Sequence, residues 1–238
     1  MRRFMVVGRK KSVWFLLGAV VYVFIILLGL GNMVVSLVSI TEKELPIYSV
    51  QREEALVALT FNCAWEENDI PQLLDLLERE NIKATFFLIG ANTEQEESKK
   101  IVKRMYEEGH LIGNHTYRHV DLSKISGREA EKEIKTTDEA IKKITGHETE
   151  FIRPPFGAMP EGEEDPDKIY VKWTVDSLDW VTKDTEKIVE KVTADTKEGD
   201  VILMHDCYGE SVEAALQIVD IMEKQGYEFV TADELIIN

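Results

Sequence analysis

Two cysteines in 238 residues, Cys63 and Cys207, are too few for a disulfide framework. Basic residues are also scarce. Lys and Arg number 28 against 44 Asp and Glu, a formal net charge of -16. That balance excludes a nucleic-acid binder, which needs a basic footprint. No internal repeat and no low-complexity tract is visible, which excludes a repeat array. A hydrophobic fraction of 44% excludes wholesale disorder. The charge is unevenly spread. Residues 1–40 hold Arg2, Arg3, Arg9, Lys10 and Lys11 and no acid, so the remainder carries -21.

From Ser12 to Thr41 no residue is charged, and Val13–Leu30 is almost wholly apolar. About 20 apolar residues in a helix span a bilayer core. Five bases flank the run on its N-terminal side, so the positive-inside bias places that end in the cytoplasm and the rest outside. A cleaved signal peptide is the competing reading. Its apolar core would be shorter and followed by a small-residue cleavage site, and none follows here. The expected organisation is a basic cytoplasmic N-terminus (1–11), a transmembrane signal-anchor (12–40), a polar linker (41–54) and a domain (55–238). The expected location is the cell membrane, single-pass, with the domain extracytoplasmic.

Within the domain, apolar runs alternate with helical patterns. Strands are expected at Ala55–Phe61, Lys83–Ile89, His110–Asn114, from Phe151, and at Ile169–Val175, Asp200–His205 and Tyr227–Thr231. Helices are expected at Pro71–Asn81, Glu94–Glu108, Gly127–Thr145, Thr185–Lys197 and Ser211–Gln225. About seven strands alternating with helices imply βα units around a parallel sheet, as a small barrel or an open doubly wound sheet. The acidic stretch Glu161–Asp167 reads as a solvated loop. In such folds chemistry sits at the C-terminal ends of strands.

Chemically capable residues fall at those ends. His115 and His119 stand at i and i+4 in NHTYRH, a spacing that suits divalent-metal ligation but is weak alone. His110 and His147 each stand beside a glycine at a helix end, where a lone imidazole needs no functional reading. Arg153 precedes Pro154-Pro155-Phe156-Gly157. Asp176 and Asp179 lie in DSLDW, and His205 and Asp206 close VILMHD. Together these make a catalytic inventory.

Residues 55–235 resemble the polysaccharide deacetylases of the NodB-homology type, carbohydrate esterase family 4. The motifs occur in family order. They are His115-Thr116-Tyr117-Arg118-His119, Arg153-Pro154-Pro155-Phe156, Asp176-Ser177-Leu178-Asp179-Trp180 and Leu203-Met204-His205. The resemblance implies an α/β fold, a distorted (β/α)7 barrel, here preceded by one transmembrane helix. It implies hydrolytic N-deacetylation of a cell-wall glycan of the peptidoglycan kind, dependent on a divalent metal, usually zinc. Partners would be that glycan and, through the N-terminal helix, the membrane. The family's metal is held by an Asp and the two histidines of the second motif. By the same resemblance His205 is the acid that protonates the departing amine, and Asp179 is the carboxylate that keeps it charged. The N–H of Phe156 meets the oxyanion, Leu203 and Trp180 line the acetyl slot, and Arg153 pairs with the catalytic base.

The family's first motif, T-F-D-D-G, is Thr60-Phe61-Asn62-Cys63-Ala64 here. Asn62 stands where the base should be, and an amide accepts no proton usefully near neutral pH. Cys63 stands where the metal carboxylate should be. Three readings remain open. Cys63 could ligate zinc with His115 and His119, with Glu66, Glu67 or Asp69 as base or with none. The site could bind glycan with little or no turnover. Cys63 and Cys207 could form a disulfide. For Cys63 the plain alternative is a small buried hydrophobe. Arg153 has also lost its partner carboxylate. A buried unpaired guanidinium is costly, so another acid is expected near it, and Glu66 or Asp69 would then be the substitute base.

Overall fold

The computed structural model describes residues 46–63, 70–161, 165 and 167–237. The expected signal-anchor at 12–40 lies outside the described residues, as do Glu66, Glu67 and Asp69. Among the described residues no helix is long and apolar enough to cross a membrane.

The strands are β1 (Leu56–Cys63), β2 (Thr85–Leu88), β3 (Leu111–Asn114), β4 (Phe151–Ile152), β5 (Ile169–Tyr170), β6 (Val175–Asp176), β7 (Val201–His205) and β8 (Glu228–Val230). The helices are α1 (Ile70–Arg79), α2 (Glu96–Glu107), α3 (Gly127–Thr145), α4 (Asp179–Thr182), α5 (Thr185–Asp195), α6 (Gly209–Lys224) and α7 (Ala232–Ile237). All strand pairs are parallel, in the order β5-β4-β3-β2-β1-β7-β6, with β8 also on β1. The result is a curled half-barrel with helices outside it.

The helices follow their sequence signals. α1 carries Pro71 in its first turn and buries Leu73, Leu74, Leu76 and Leu77, which recur at helical spacing. In α3 the Ser126 hydroxyl caps the Glu129 N–H while the Glu129 carboxylate returns to the Ser126 N–H. Gly146 ends α3 at φ 85°, a conformation that favours glycine.

Strand β1 shows why two cores form. Its period of two sends Val57, Leu59, Phe61 and Cys63 outward, into the main cluster under the helices. The alternate residues face inward, Ala58 among them, joining Phe87, Phe151, Val171 and Val201 inside the curl. Phe61 stacks on Phe86 with centroids 5.3 Å apart.

Two differences from the sequence reading matter. First, the strand expected at Ile169–Val175 is broken. Its start pairs with β4 and its end with β7, so Val171–Thr174 carries the chain from one edge of the sheet to the other. One residue run cannot keep a straight ladder with two strands so far apart in the curl. Second, the compact unit begins at Pro46 rather than at the expected boundary of 55. Ile47 bridges Val171, and Ser49 bridges Asp200. The short helices α4 and α7 were also not expected.

Candidate active site

The site is built where β1, β3, β4, β6 and β7 end. Register aligns Asn62 with His205, Thr60 with Leu203, and Leu203 with Asp176. The sequence motifs thus meet at one end of the sheet. A cavity of ≈ 260 Å³ lies at the other end, lined by Tyr106, His110, His147 and Phe151 among others, and includes no motif residue.

The loop after β3 carries both motif histidines. His115 is buried. Its Nδ1 is 2.6 Å from the Arg153 carbonyl, and an oxygen there can only accept, so Nδ1 carries the hydrogen. Nε2 is then a bare lone pair, buried and without a hydrogen-bond partner. The rings of His115 and His119 lie 4.9 Å apart, and Phe156 packs on His119 at the same distance. Burial, and then the neighbouring His119, hold His115 well below the usual imidazole range. Burial and His205 lower His119 in the same direction, so the pair and His205 share one site. Among the described residues no group of three His, Cys, Asp or Glu is arranged to hold a metal.

Cys63 does not join the histidines. The alternation of β1 turns it into the outer core, with its thiol hydrogen-bonded to the Asp206 carboxylate. Burial, then Asp206, raise that thiol well above its ordinary value. The disulfide alternative is also corrected: Cys63 and Cys207 are both free thiols.

Arg153 is fully buried and lies over the Phe87 ring, 4.2 Å from its centroid. It makes no ion pair among the described residues. Its Nη1 donates to Thr60 Oγ1 at 2.8 Å and to Asn62 Oδ1 at 3.3 Å, and its Nη2 to the Lys172 carbonyl at 3.0 Å. Burial pushes the guanidinium down to about 9, with Asp176 acting the other way. The acids expected to replace the lost base, Glu66 and Asp69, lie outside the described residues. Among the described residues its donors go to neutral oxygens only: Thr60 and Asn62 on β1, and the Val171 and Lys172 carbonyls where the β5–β6 strand breaks.

The other half of the site is complete. His205 Nδ1 is 2.8 Å from Asp179 Oδ1, and the His205 N–H donates to Asp179 Oδ2 at 2.7 Å. The Trp180 N–H donates to the same carboxylate at 2.8 Å. Burial opposes ionisation of Asp179, but the bond and charge of His205 outweigh it and lower the carboxyl. Leu203 is buried beneath, whereas Phe156 is 70% and Trp180 51% exposed, so large apolar side chains stand at the rim.

Backbone strain marks the same loops. Thr116, His119, Phe156 and Leu178 all have φ between 55° and 64°. Non-glycine residues held there cluster at functional sites. The sequence reading missed the supports: Thr60 under Arg153, Asn114 before the first histidine, and Glu133 and Asp138 on α3. Glu133 accepts from the Arg118 N–H and guanidinium, fixing the middle of the histidine loop. Only the fold places α3 against that loop, so no local signal reveals them.

Comparison with known proteins gives a consistent pattern. The family described as Polysaccharide deacetylase matches residues 49–165. A peptidoglycan-N-acetylglucosamine deacetylase of Bacillus cereus is 37% identical over 80% of this chain and 71% of its own length. The crystal structure of a peptidoglycan N-acetylglucosamine deacetylase, in complex with 4-naphthalen-1-yl-N-oxidanyl-benzamide, superposes with a TM-score of 0.76 at 36% identity, covering 83% of this chain and 95% of that one. A pseudoenzyme of the same carbohydrate esterase family 4 from Bacillus anthracis has a TM-score of 0.75 at 27% identity, covering 81% and 69%. A mutant of that pseudoenzyme with restored enzymatic activity is similar at a TM-score of 0.73 and 26% identity, covering 81% and 71%.

Proposed function

The chain belongs to the polysaccharide deacetylase family, and from that premise we propose that it is a slow N-deacetylase of cell-wall glycan of the peptidoglycan kind. The observation that carries this reading is the intact Asp179–His205 pair, closed by two hydrogen bonds, beside an unpartnered His115 Nε2. A pure glycan binder has little use for a positioned proton donor.

The two imidazoles fit a divalent metal, zinc in our reading. A ligating histidine has its other nitrogen bound to a carbonyl or carboxylate, as His115 does at Arg153. Cys63 does not fit as the third ligand, because the alternation of β1 turns it into the outer core, and no group of three ligands forms among the described residues. When bound, such a metal supplies Lewis-acid polarisation of the acetamide carbonyl.

The chain's own residues do the rest. Phe156 and Trp180 flank the sugar at the rim, and Leu203 floors the slot for the acetyl methyl. The Phe156 N–H faces the developing oxyanion. His205 donates its Nδ1–H in a hydrogen bond to Asp179, which leaves Nε2–H to deliver a proton to the leaving amine. Asn62 cannot take a proton from water, and general-base help of about 10²–10⁴ is thereby forgone.

A second reading, a glycan-binding pseudoenzyme, draws on the Asn62 and Cys63 contacts and on the likeness to the Bacillus anthracis pseudoenzyme. Acetate release from isolated wall glycan separates the two. Release by the natural chain above that of His205→Ala supports the slow enzyme; equal release supports the pseudoenzyme. We also propose that residues 12–40 anchor the domain outside the cell. Alkaline carbonate extraction should leave the chain in the membrane pellet, and release into the supernatant would refute the anchor.

A further inference from the structure

Behind the histidine loop lies a buried polar network that the chemistry above does not use. Asn114, fully buried at the end of β3, donates from Nδ2 to Asp138 Oδ1 at 2.9 Å and to the Ile134 carbonyl at 2.9 Å. Its Oδ1 accepts the Thr116 N–H at 2.8 Å. That contact clips the peptide two residues on, where Thr116 is held at φ 64°. Asp138 in turn pairs through Oδ2 with Lys168 Nζ at 2.7 Å, and both side chains are over nine-tenths buried. Thr149 Oγ1 donates to Asp138 Oδ1, and Lys168 also donates to the Thr149 carbonyl.

Each member has its orientation dictated. The carboxylate can only accept, so it fixes which end of the Asn114 amide carries hydrogen. The amide oxygen must then face the Thr116 N–H. His115 lies between the two clipped positions, with its own N–H on the Leu88 carbonyl at 2.9 Å. Its ring therefore has little freedom except about its side-chain torsions, and the Arg153 carbonyl removes that. Burying an ion pair this deeply gains little stability over an apolar pair of the same shape. Its retention behind the loop calls for a role in geometry.

We infer that Asp138 is a positioning residue for His115, acting through the Asn114 amide to present the bare Nε2 to a divalent cation. The inference rests on the proposed use of the histidine pair, and it predicts that a residue on α3 controls metal affinity without touching the metal. Loss of such an outer partner lowers metal affinity by about 10- to 100-fold.

The test uses the full chain, purified in detergent, with Asp138→Asn and Lys168→Met introduced together so that no buried charge is left unpaired. Zinc affinity is measured by competition with a chromophoric chelator. In metal-free protein, the tautomer of His115 is read by long-range ¹H–¹⁵N correlation; only five histidines need assignment. The expected result is a 10- to 100-fold weaker zinc affinity and the appearance of the Nε2–H tautomer at His115. A double variant with the natural tautomer and affinity within twofold overturns the inference, even if its melting temperature falls, because the network is then only structural. If the natural chain binds zinc no better than His115→Ala, the metal reading fails, and the tautomer alone decides whether Asp138 positions the ring.

Discussion

At the scale of single residues the site turns on what replaces two carboxylates. Arg153 keeps the place it would have beside a base, but its Nη1 now shares Thr60 Oγ1 and the Asn62 amide oxygen. Asn62→Asp puts an anion on that nitrogen. The expected outcome is acetate release raised by at least about 10²-fold, since a general base contributes about 10²–10⁴. Unchanged release would mean that position 62 no longer faces the substrate. Asp179→Asn keeps the shape of the other arm but removes its charge. It should cut turnover by about 10² or more with little change in KM. It should also alter acid stability. The lowered Asp179 carboxyl adds stability above its unfolded pKa, and that stability is lost as pH falls through the lower folded value. The variant should therefore show a flatter acid limb in urea midpoints. The four intact motifs were legible because each is contiguous. Of the readings open for Cys63, the small buried hydrophobe is the one the fold matches, because strand alternation sends it to the face opposite Asn62.

At the scale of elements, helices with caps and periodic apolar residues were read nearly to the residue, α3 among them, because those signals are local. The β5–β6 break was not, since it arises from pairing with two strands distant in sequence. The turn from α2 into β3 shows a similar hidden constraint. His110 looks like an unremarkable residue beside Gly109. In the fold it is buried, accepts the Ala84 N–H on Nδ1 at 3.1 Å, and meets the Phe86 ring edge-on at 5.2 Å. Burial, then Lys83 and Arg104, push it down to about 4, although Glu108 stands 3.7 Å from its Nε2. A histidine lowered in the folded state is protonated first in the unfolded chain. Its contribution is complete above the unfolded pKa of about 6.5 and is lost as pH falls towards the folded value. The full span is worth at most about 3 kcal/mol. His110→Gln should thus remove much of the loss of stability between pH 6.5 and 4, measured by urea denaturation across that range. An equal loss in both proteins would place the titrating group elsewhere.

At the scale of the whole molecule the net charge of -16 averages a basic stretch over residues 1–40 with an acidic remainder. Acids are plentiful on the domain yet missing at two positions of the first motif, so bulk acidity says nothing about catalytic carboxylates. The apparent linker is similarly misleading. Its polar composition suggested a tether, but Ile47 and Val50 seal the place where the β5–β6 run crosses the curl. The Ile47 N–H donates to the Tyr170 carbonyl, the Lys172 N–H to the Ile47 carbonyl, and the Val50 N–H to the Gly199 carbonyl. Lys172 then offers its own carbonyl to Arg153. One residue, Lys172, therefore joins the strap to the buried guanidinium. Gly199 makes the closure possible: at φ +80°, a Cβ there would sit 1.7 Å from the Val50 carbonyl oxygen. Gly199→Ala must displace the strap. The cost is roughly 1 kcal/mol for the left-handed backbone and about 0.5–1.5 kcal/mol for each hydrogen bond lost, or roughly 2 to 4 kcal/mol in all. The expected outcome is a lower melting temperature together with faster amide exchange at Lys172 and Val50, while α1 and α6, packed on the opposite face of β1, keep their protection. Exchange accelerated uniformly over the domain would show that the strap is an inseparable part of the cooperative core. Unchanged exchange at Lys172 would show that it carries no tension to the site.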